Sequence, residues 1–204
     1  SDKIIELVLT TPFDITTAYW TGVSLSISSQ TGNPRSLMLS SDGLKLYLKG
    51  STTTQLFEYS MSTAYDLSTA VFNKTITLSS AVDYVTMSHD GSRLYGSTGT
   101  TIVEYDSPAG QAAAVLELHS APWISSAAST SANNFYVNDA ETLLVASDGS
   151  TLRSFILDSD ANLGKWQVSS TFSAGAGSIS VSLSSTETEM YVLKGTSNII
   201  EQYA

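Results

Sequence analysis

One pattern recurs four times along this chain with a period close to 48 residues. Its clearest copy is SLMLSSDGLKLYLKGSTTTQLFEYSMS, residues 36–62. The others are YVTMSHDGSRLYGSTGTTIVEYDS (84–107), FYVNDAETLLVASDGSTLRSFILDS (135–159) and SVSLSSTETEMYVLKGTSNIIEQYA (180–204). The turn position falls at Asp42, Asp90, Asp139 and Thr186, giving spacings of 48, 49 and 47. The apolar residue after the turn is Tyr47, Tyr95, Leu144 and Tyr191, with the same spacings. An aromatic follows at Tyr59, Tyr105, Phe155 and Tyr203, spaced 46, 50 and 48. Three markers holding one period through four copies define a repeat architecture.

Each copy reads as strand, turn, strand, loop, strand. Apolar and polar residues alternate at period two, as in half-buried strands. Asp-Gly at 42–43 and 90–91 is a favoured hairpin turn, because glycine accepts a positive φ and the turn twist matches the flanking strands. The third and fourth copies have Ala140 and Glu187 at that glycine, so their turns must be built differently. A further alternating segment precedes each copy: WTGVSLSIS, FNKTITLSS, AAVLELHS and WQVSSTFSA. Four strands in about 48 residues match one propeller blade. The expectation is an all-β propeller of about four blades of four antiparallel strands, with blades at 11–62, 63–108, 109–159 and 160–204. A β-sandwich is the rival fold, and it leaves the regular period unexplained. QAAAVLEL (111–118) has helical composition but occupies a strand position in the repeat, and is read as strand. HSAPWISSAASTSANN, in the third copy, is an insertion expected to form a surface loop. KIIELVL, which aligns with QLFEYSM, adds an outer-type strand at residues 1–10 beyond the four blades, so pairing with a neighbouring chain is one use for it. TPFDITTA (11–18) and TAYDLSTA (63–70) are then the same connection met twice, read as a hinge from one blade to the next.

LSSDGLKLYLKG followed by FEYSMSTAYDLSTA, over residues 39–70, resembles a propeller repeat common in phage and marine bacterial surface proteins. Residues 88–105 carry it recognisably and the last two copies only in part. The resemblance implies a binding or structural module of a virion fibre, a tail-associated protein or an adhesin-like ectodomain, and no particular reaction.

Composition narrows the function classes. The net charge is −10, with nine Lys and Arg and no basic cluster. A nucleic-acid groove and an anionic membrane surface both need concentrated positive charge. Charged residues are only 14% of the chain, so Ser and Thr must supply much of the polar surface. The absence of cysteine excludes disulfides, thiolate catalysis and Cys-based zinc sites. No apolar run approaches the roughly 18 residues of a membrane-spanning helix. A virion or cell-surface location is the expectation.

Candidate chemistry is sparse. No G-x-S-x-G, H-E-x-x-H or phosphate loop is present. His89 lies beside a turn, and His119 ends a strand without a nucleophile motif. A glycosidase carboxylate pair could be sought among Asp42, Asp90 and Asp139, yet residues at symmetric turns are expected to bond their own backbone, as are Asp14 and Asp66. Asp158, Asp160 and Asn162 alternate as calcium ligands do, so calcium is the one cofactor considered. The calcium-loop pattern fails further on, at Gly164 and Ser169. Flat aromatic faces beside hydroxyl-rich loops suit a glycan, and the candidates are Trp123, Trp20, Trp166, Tyr65 and Phe13. Phe13 and Tyr65, repeated at a repeated turn, are alternatively packing residues. The functional expectation is a non-enzymatic structural or recognition module of a virion that binds neighbouring proteins or a host glycan and is homo-oligomeric. An extracellular bacterial adhesin module and a carbohydrate-active enzyme are the alternatives.

Overall fold

The computed structural model describes residues 2–12, 14–51, 53–88, 91–97, 101–106, 115–116, 123–124, 134–138, 142–147, 151–156, 167–173, 178–183, 188, 190–194 and 199–203. Five sheets follow one another in chain order. The first is a two-stranded half-blade, β1 (Lys3–Leu9) and β2 (Ala18–Ser26). The second blade-like sheet runs β3 (Pro34–Leu39), β4 (Lys45–Gly50), β5 (Thr53–Met61) and β6 (Ala70–Val82) from its inner edge outward. Two residues of β10 (Val115–Leu116) extend its outer edge, pairing parallel to β6. The third comprises β7 (Tyr84–Met87), β8 (Arg93–Ser97), β9 (Thr101–Asp106) and β11 (Trp123–Ile124). The fourth comprises β12 (Asn134–Val137), β13 (Leu143–Ser147), β14 (Thr151–Ile156) and β15 (Gln167–Ser173). The last has three strands, β16 (Ser178–Leu183), β17 (Met190–Lys194) and β18 (Ile199–Tyr203). The chain is an all-β propeller of about four blades.

The blades are cut in a different place from the expected one. β2 pairs with β1, and β6 pairs with β5, both antiparallel. The alternating segments therefore close the preceding blade as its outer strand, and do not open the next. The first full blade spans 34–82, in place of 11–62, and the later expected boundaries shift likewise. TPFDITTA and TAYDLSTA consequently join the third and fourth strands within one blade. Both form the same capped 3-10 turn, Ile15–Thr17 in one and Leu67–Thr69 in the other. The carboxylate of Asp14 accepts from the amide of Thr16 at 2.9 Å, and that of Asp66 from the amide of Ser68 at 3.0 Å. The self-bonded aspartates expected from sequence are present at both turns, as at Asp42, which accepts from the Leu44 amide at 3.0 Å.

Hairpin-closing pairs fix which residues are equivalent: Leu39 with Leu46, Met87 with Leu94, Val137 with Leu144, and Leu183 with Met190. The aromatic marker lies opposite the second member each time, since Tyr59, Tyr105, Phe155 and Tyr203 pair with Leu46, Leu94, Leu144 and Met190. The marker after the turn slips by one in the third copy. Val145, not Leu144, is the partner in kind of Tyr47, Tyr95 and Tyr191.

The hairpin of the third copy is held at its edge by a different side chain. The Ser40 hydroxyl accepts from the Lys45 amide, and the Ser88 hydroxyl from the Arg93 amide. Asn138 replaces that serine, and its longer carbonyl arm accepts from both the Thr142 and Leu143 amides at 2.8 Å. The strand registers keep the turn length unchanged, and Asn138 holds the position that Ser40 and Ser88 hold in the first two copies. At Gly43 the glycine is required twice over. Its φ is +68°, and a Cβ there would lie 2.6 Å from the ring of Tyr65. Tyr65 itself holds a φ of 60° and donates its hydroxyl to the Ser41 carbonyl at 2.6 Å. Gly43→Ala is expected to cost about 1–3 kcal/mol, read as a lowered urea midpoint.

Four apolar cores lie between successive sheets. Ile27, Leu46, Leu48, Phe57, Tyr59 and Met61 join the half-blade to the first full blade. Tyr47, Leu56 and Ile76 meet Val85, Leu94 and Tyr105 at the next joint. Tyr95 and Ile102 meet Phe135, Val137 and Leu144, and Val145 and Leu152 meet Val181 and Val192. Strand alternation produces this: one face of each blade looks back and the other forward. Charges buried among these residues are compensated. Glu58, fully buried, takes Asn73 Nδ2 at 2.6 Å with Lys45 at 3.5 Å, and its equivalent Glu104 takes Arg93 at 3.0 Å. Asn73 belongs to the sequon Asn73-Lys74-Thr75, and its amide is thus engaged with Glu58.

Candidate functional site

The inner strands β3, β7, β12 and β16 pack in sequence, each on the next. Residues of these four strands, with Leu193 of β17, border one cavity of about 450 Å³. Its wall is Pro34–Met38, Tyr84–Thr86, Phe135, Tyr136, Val181, Ser182 and Leu193. Residues on four separate blades therefore meet there, although no two of these strands share a sheet. Pro34 opens β3, a position where the missing N–H costs no ladder bond. The Val85 amide donates to the Ser36 hydroxyl at 3.0 Å, fixing β3 against β7 across the blade joint.

Arg35 is the cation of this cavity. Its Nη1 donates to the Tyr84 hydroxyl at 3.0 Å, and its Cζ stands 5.8 Å from the Tyr84 ring centroid. No ion pair to a carboxylate occupies the guanidinium among the described residues. This sets it apart from Lys45, Lys74, Arg93 and Lys194, each paired with a glutamate. It also differs from Lys49, which is buried on the carbonyls of Gly50 and Thr53 at 2.7 and 2.8 Å. A planar fork of N–H donors, partly positioned and not neutralised, suits a carboxylate, phosphate or polarised carbonyl oxygen. Ser182, Thr86 and the Tyr84 hydroxyl add oxygen functions on the same wall. None of the described lining residues is Asp, Glu or His.

The aromatic candidates are not assembled into a site. Trp20 is 60% exposed on β2, opposite Leu7, and donates its indole N–H to the Val23 carbonyl at 3.1 Å. Tyr65 packs on the Gly43 turn of its own blade and serves as a structural clasp. Neither borders the cavity. Trp123 was placed in a free loop, but it lies on β11 and pairs with Ile102, so the insertion supplies the outer strand of that blade. The segment QAAAVLEL, expected to be the first strand of the third copy, has two described residues, and these pair with β6 of the first full blade. Phe13, Trp166, Asp158, Asp160, Asn162, His89 and His119 lie outside the described residues. Among the described residues, no three Asp, Glu or His side chains cluster as metal ligands would. Sequence reasoning missed Arg35 and Tyr84. The one available signal was Arg35's rarity, as one of nine cations.

No protein-family profile and no curated protein matches the sequence. Solved structures do. The chain is similar to a Bacteroides fragilis protein assigned as a 6-phosphogluconolactonase, at 14% identity and a TM-score of 0.56, covering 83% of this chain and 49% of that one. It is similar to the periplasmic gluconolactonase PpgL of Pseudomonas aeruginosa, at 16% identity and 0.53, covering 84% and 49%. The β-propeller domain of Cps50 (Swd1) from Myceliophteria thermophila matches at 11% identity and 0.53, covering 83% and 52%. The chain thus spans about half the length of each of these three. At such identities the likeness carries the fold. It corrects the expectation of a non-enzymatic virion module all the same, since the propellers matched here include two named as lactonases.

Proposed function

We propose that this chain forms the substrate-binding arc of a hydrolase-type propeller acting on a sugar lactone. The observation that carries the reading is Arg35, held against Tyr84 and free of any described carboxylate, in a cavity bordered by four blades. Lactone opening develops negative charge on the carbonyl oxygen and leaves a carboxylate. A guanidinium with unspent donors stabilises both. Polar side chains around it match the hydroxyls of a sugar ring. The lactonase names of two structural neighbours support the same class.

A pH-stat assay with glucono-δ-lactone and its 6-phosphate tests this. Acid release above the uncatalysed rate is expected, and Arg35→Ala should lower kcat/KM at least about tenfold, equal to about 1.4 kcal/mol of transition-state stabilisation. Arg35→Lys should recover part of the loss, since charge is restored but the fork is not. Release no faster than the uncatalysed rate with either lactone would refute the proposal.

A further inference from the structure

A guanidinium has donors and no acceptor, so in the bond between Arg35 and Tyr84 the phenol oxygen must accept. The phenol's own hydrogen is then directed away from Arg35. Among the described residues no acceptor takes it. Other tyrosines of this chain spend that hydrogen on the protein. Tyr59 gives it to Gln30 Oε1 at 2.9 Å, Tyr65 to the Ser41 carbonyl at 2.6 Å and Tyr105 to the Ser80 carbonyl at 3.2 Å. The Tyr84 ring is also held in place. It opens β7, pairs with Ser97, and packs against the cluster that includes Tyr95, Phe135 and Val137. A fixed phenol with an unspent hydrogen therefore stands on the cavity wall, 3.0 Å from a guanidinium nitrogen.

We propose that Tyr84 is the general acid of lactone opening, the group that protonates the departing ring oxygen; this rests on the reading of the cavity as a lactonase site. The two oxygens of a lactone group sit on one carbon, so neighbouring donors can take one each. Arg35 takes the carbonyl oxygen and Tyr84 the ring oxygen. Water adds to the carbonyl carbon and gives up a proton to solvent, leaving an oxyanion beside Arg35. As the carbonyl re-forms, the bond from its carbon to the ring oxygen breaks. The electron pair goes to the ring oxygen, which takes the phenol hydrogen as a proton. The phenolate left behind is stabilised by the adjacent guanidinium and regains a proton from solvent. The product is a hydroxy acid, whose ionisation is the acid release that a pH-stat reads. No carboxylate or imidazole among the described lining residues competes for the role.

Steady-state kinetics of Tyr84→Phe with glucono-δ-lactone test this. The variant loses one oxygen and keeps the ring, so its far-UV circular dichroism should match the wild type. Its kcat should fall at least about tenfold, since a positioned acid typically contributes about a hundredfold or more. KM and the inhibition constant of gluconate should stay within about twofold of the wild type. A residue that only positions Arg35 would lose its effect once Arg35 is gone. Tyr84→Phe should instead still lower kcat at least about tenfold in an Arg35→Ala background. A smaller fall in kcat, or a loss confined to KM, overturns the proposal. So does a loss that disappears in the Arg35→Ala background, which would make Tyr84 a positioning residue. In each of these cases the wild type still opens the lactone, and only the role of Tyr84 falls. A wild type that opens neither glucono-δ-lactone nor its 6-phosphate overturns the lactonase reading and the role of Tyr84 with it.

Discussion

Tyr59→Ala should destabilise the fold by about 4 kcal/mol, within the range for emptying a large aromatic from a core. Tyr59 is 2% exposed and does three things at once. Its ring fills the joint between the half-blade and the first full blade, with Leu46, Leu48 and Leu67 around it. It meets Phe72 edge-on at 5.7 Å, and its hydroxyl donates to Gln30 Oε1 at 2.9 Å. Ile4, Val23 and Leu25 of the half-blade pack on the same cluster, and polar bonds add to them. In one, the Glu6 carboxylate accepts from the Leu67 amide at 2.8 Å. Tyr59→Phe keeps the ring and should cost only about 1 kcal/mol, the net worth of one hydrogen bond. Urea unfolding of both variants checks the ratio. Equal losses would mean that the hydroxyl, not the ring, holds the joint.

The second large effect is a rise in stability with alkaline pH. Burial lowers the Lys49 ammonium to about 8 from an ordinary value of 10.5, and the charge of Asp83 works against that shift. The unfolded chain therefore binds more protons than the folded one between pH 8 and 10.5. Stability must climb across that window, and the contribution is lost again as the pH falls through 8. From pH 8 to 9.5 the gain should be about 1–2 kcal/mol. Tyr47, Tyr59 and Tyr105 act in the opposite sense at higher pH. Burial raises their hydroxyls, Tyr105 to about 12, so the stability they contribute drains away above pH 10. Measurements held below pH 9.5 isolate the lysine. The gain should vanish in Lys49→Met, and an unchanged slope in that variant would assign it to another group.

Much of the architecture was legible because a repeat reports itself. The aromatic marker ran true through all four copies, since each member faces the residue that closes its hairpin. The phase of the blades was not legible. A periodic sequence has no privileged starting point, and only the ladder between β5 and β6 shows that FNKTITLSS closes a blade. The outer strand of the third sheet was also hidden. β11 contributes two residues from within an insertion that shows no alternation, whereas the strand-like QAAAVLEL lies elsewhere. The candidate site was the least visible part. Its residues come in short runs from strands about 48 positions apart, so no local motif marks them. Aromatic side chains at repeated turns drew attention instead, and Tyr65 proved to be holding its own turn.

That clasp has a bearing on how the copies could diverge. Gly43 is pinned by its backbone angle and also by a ring lying against it. Gly91, at the matching turn, has a φ of +70°, and among the described residues the Met87 sulfur, at 3.9 Å, is what a Cβ there would meet. The same letter at two equivalent sites thus carries unequal constraint. Asparagine, which tolerates a left-handed backbone, is admissible at 91 and barred at 43. Any side chain at 43 therefore requires a change at Tyr65, twenty-two positions away, whereas Tyr65 can shrink without any change at 43.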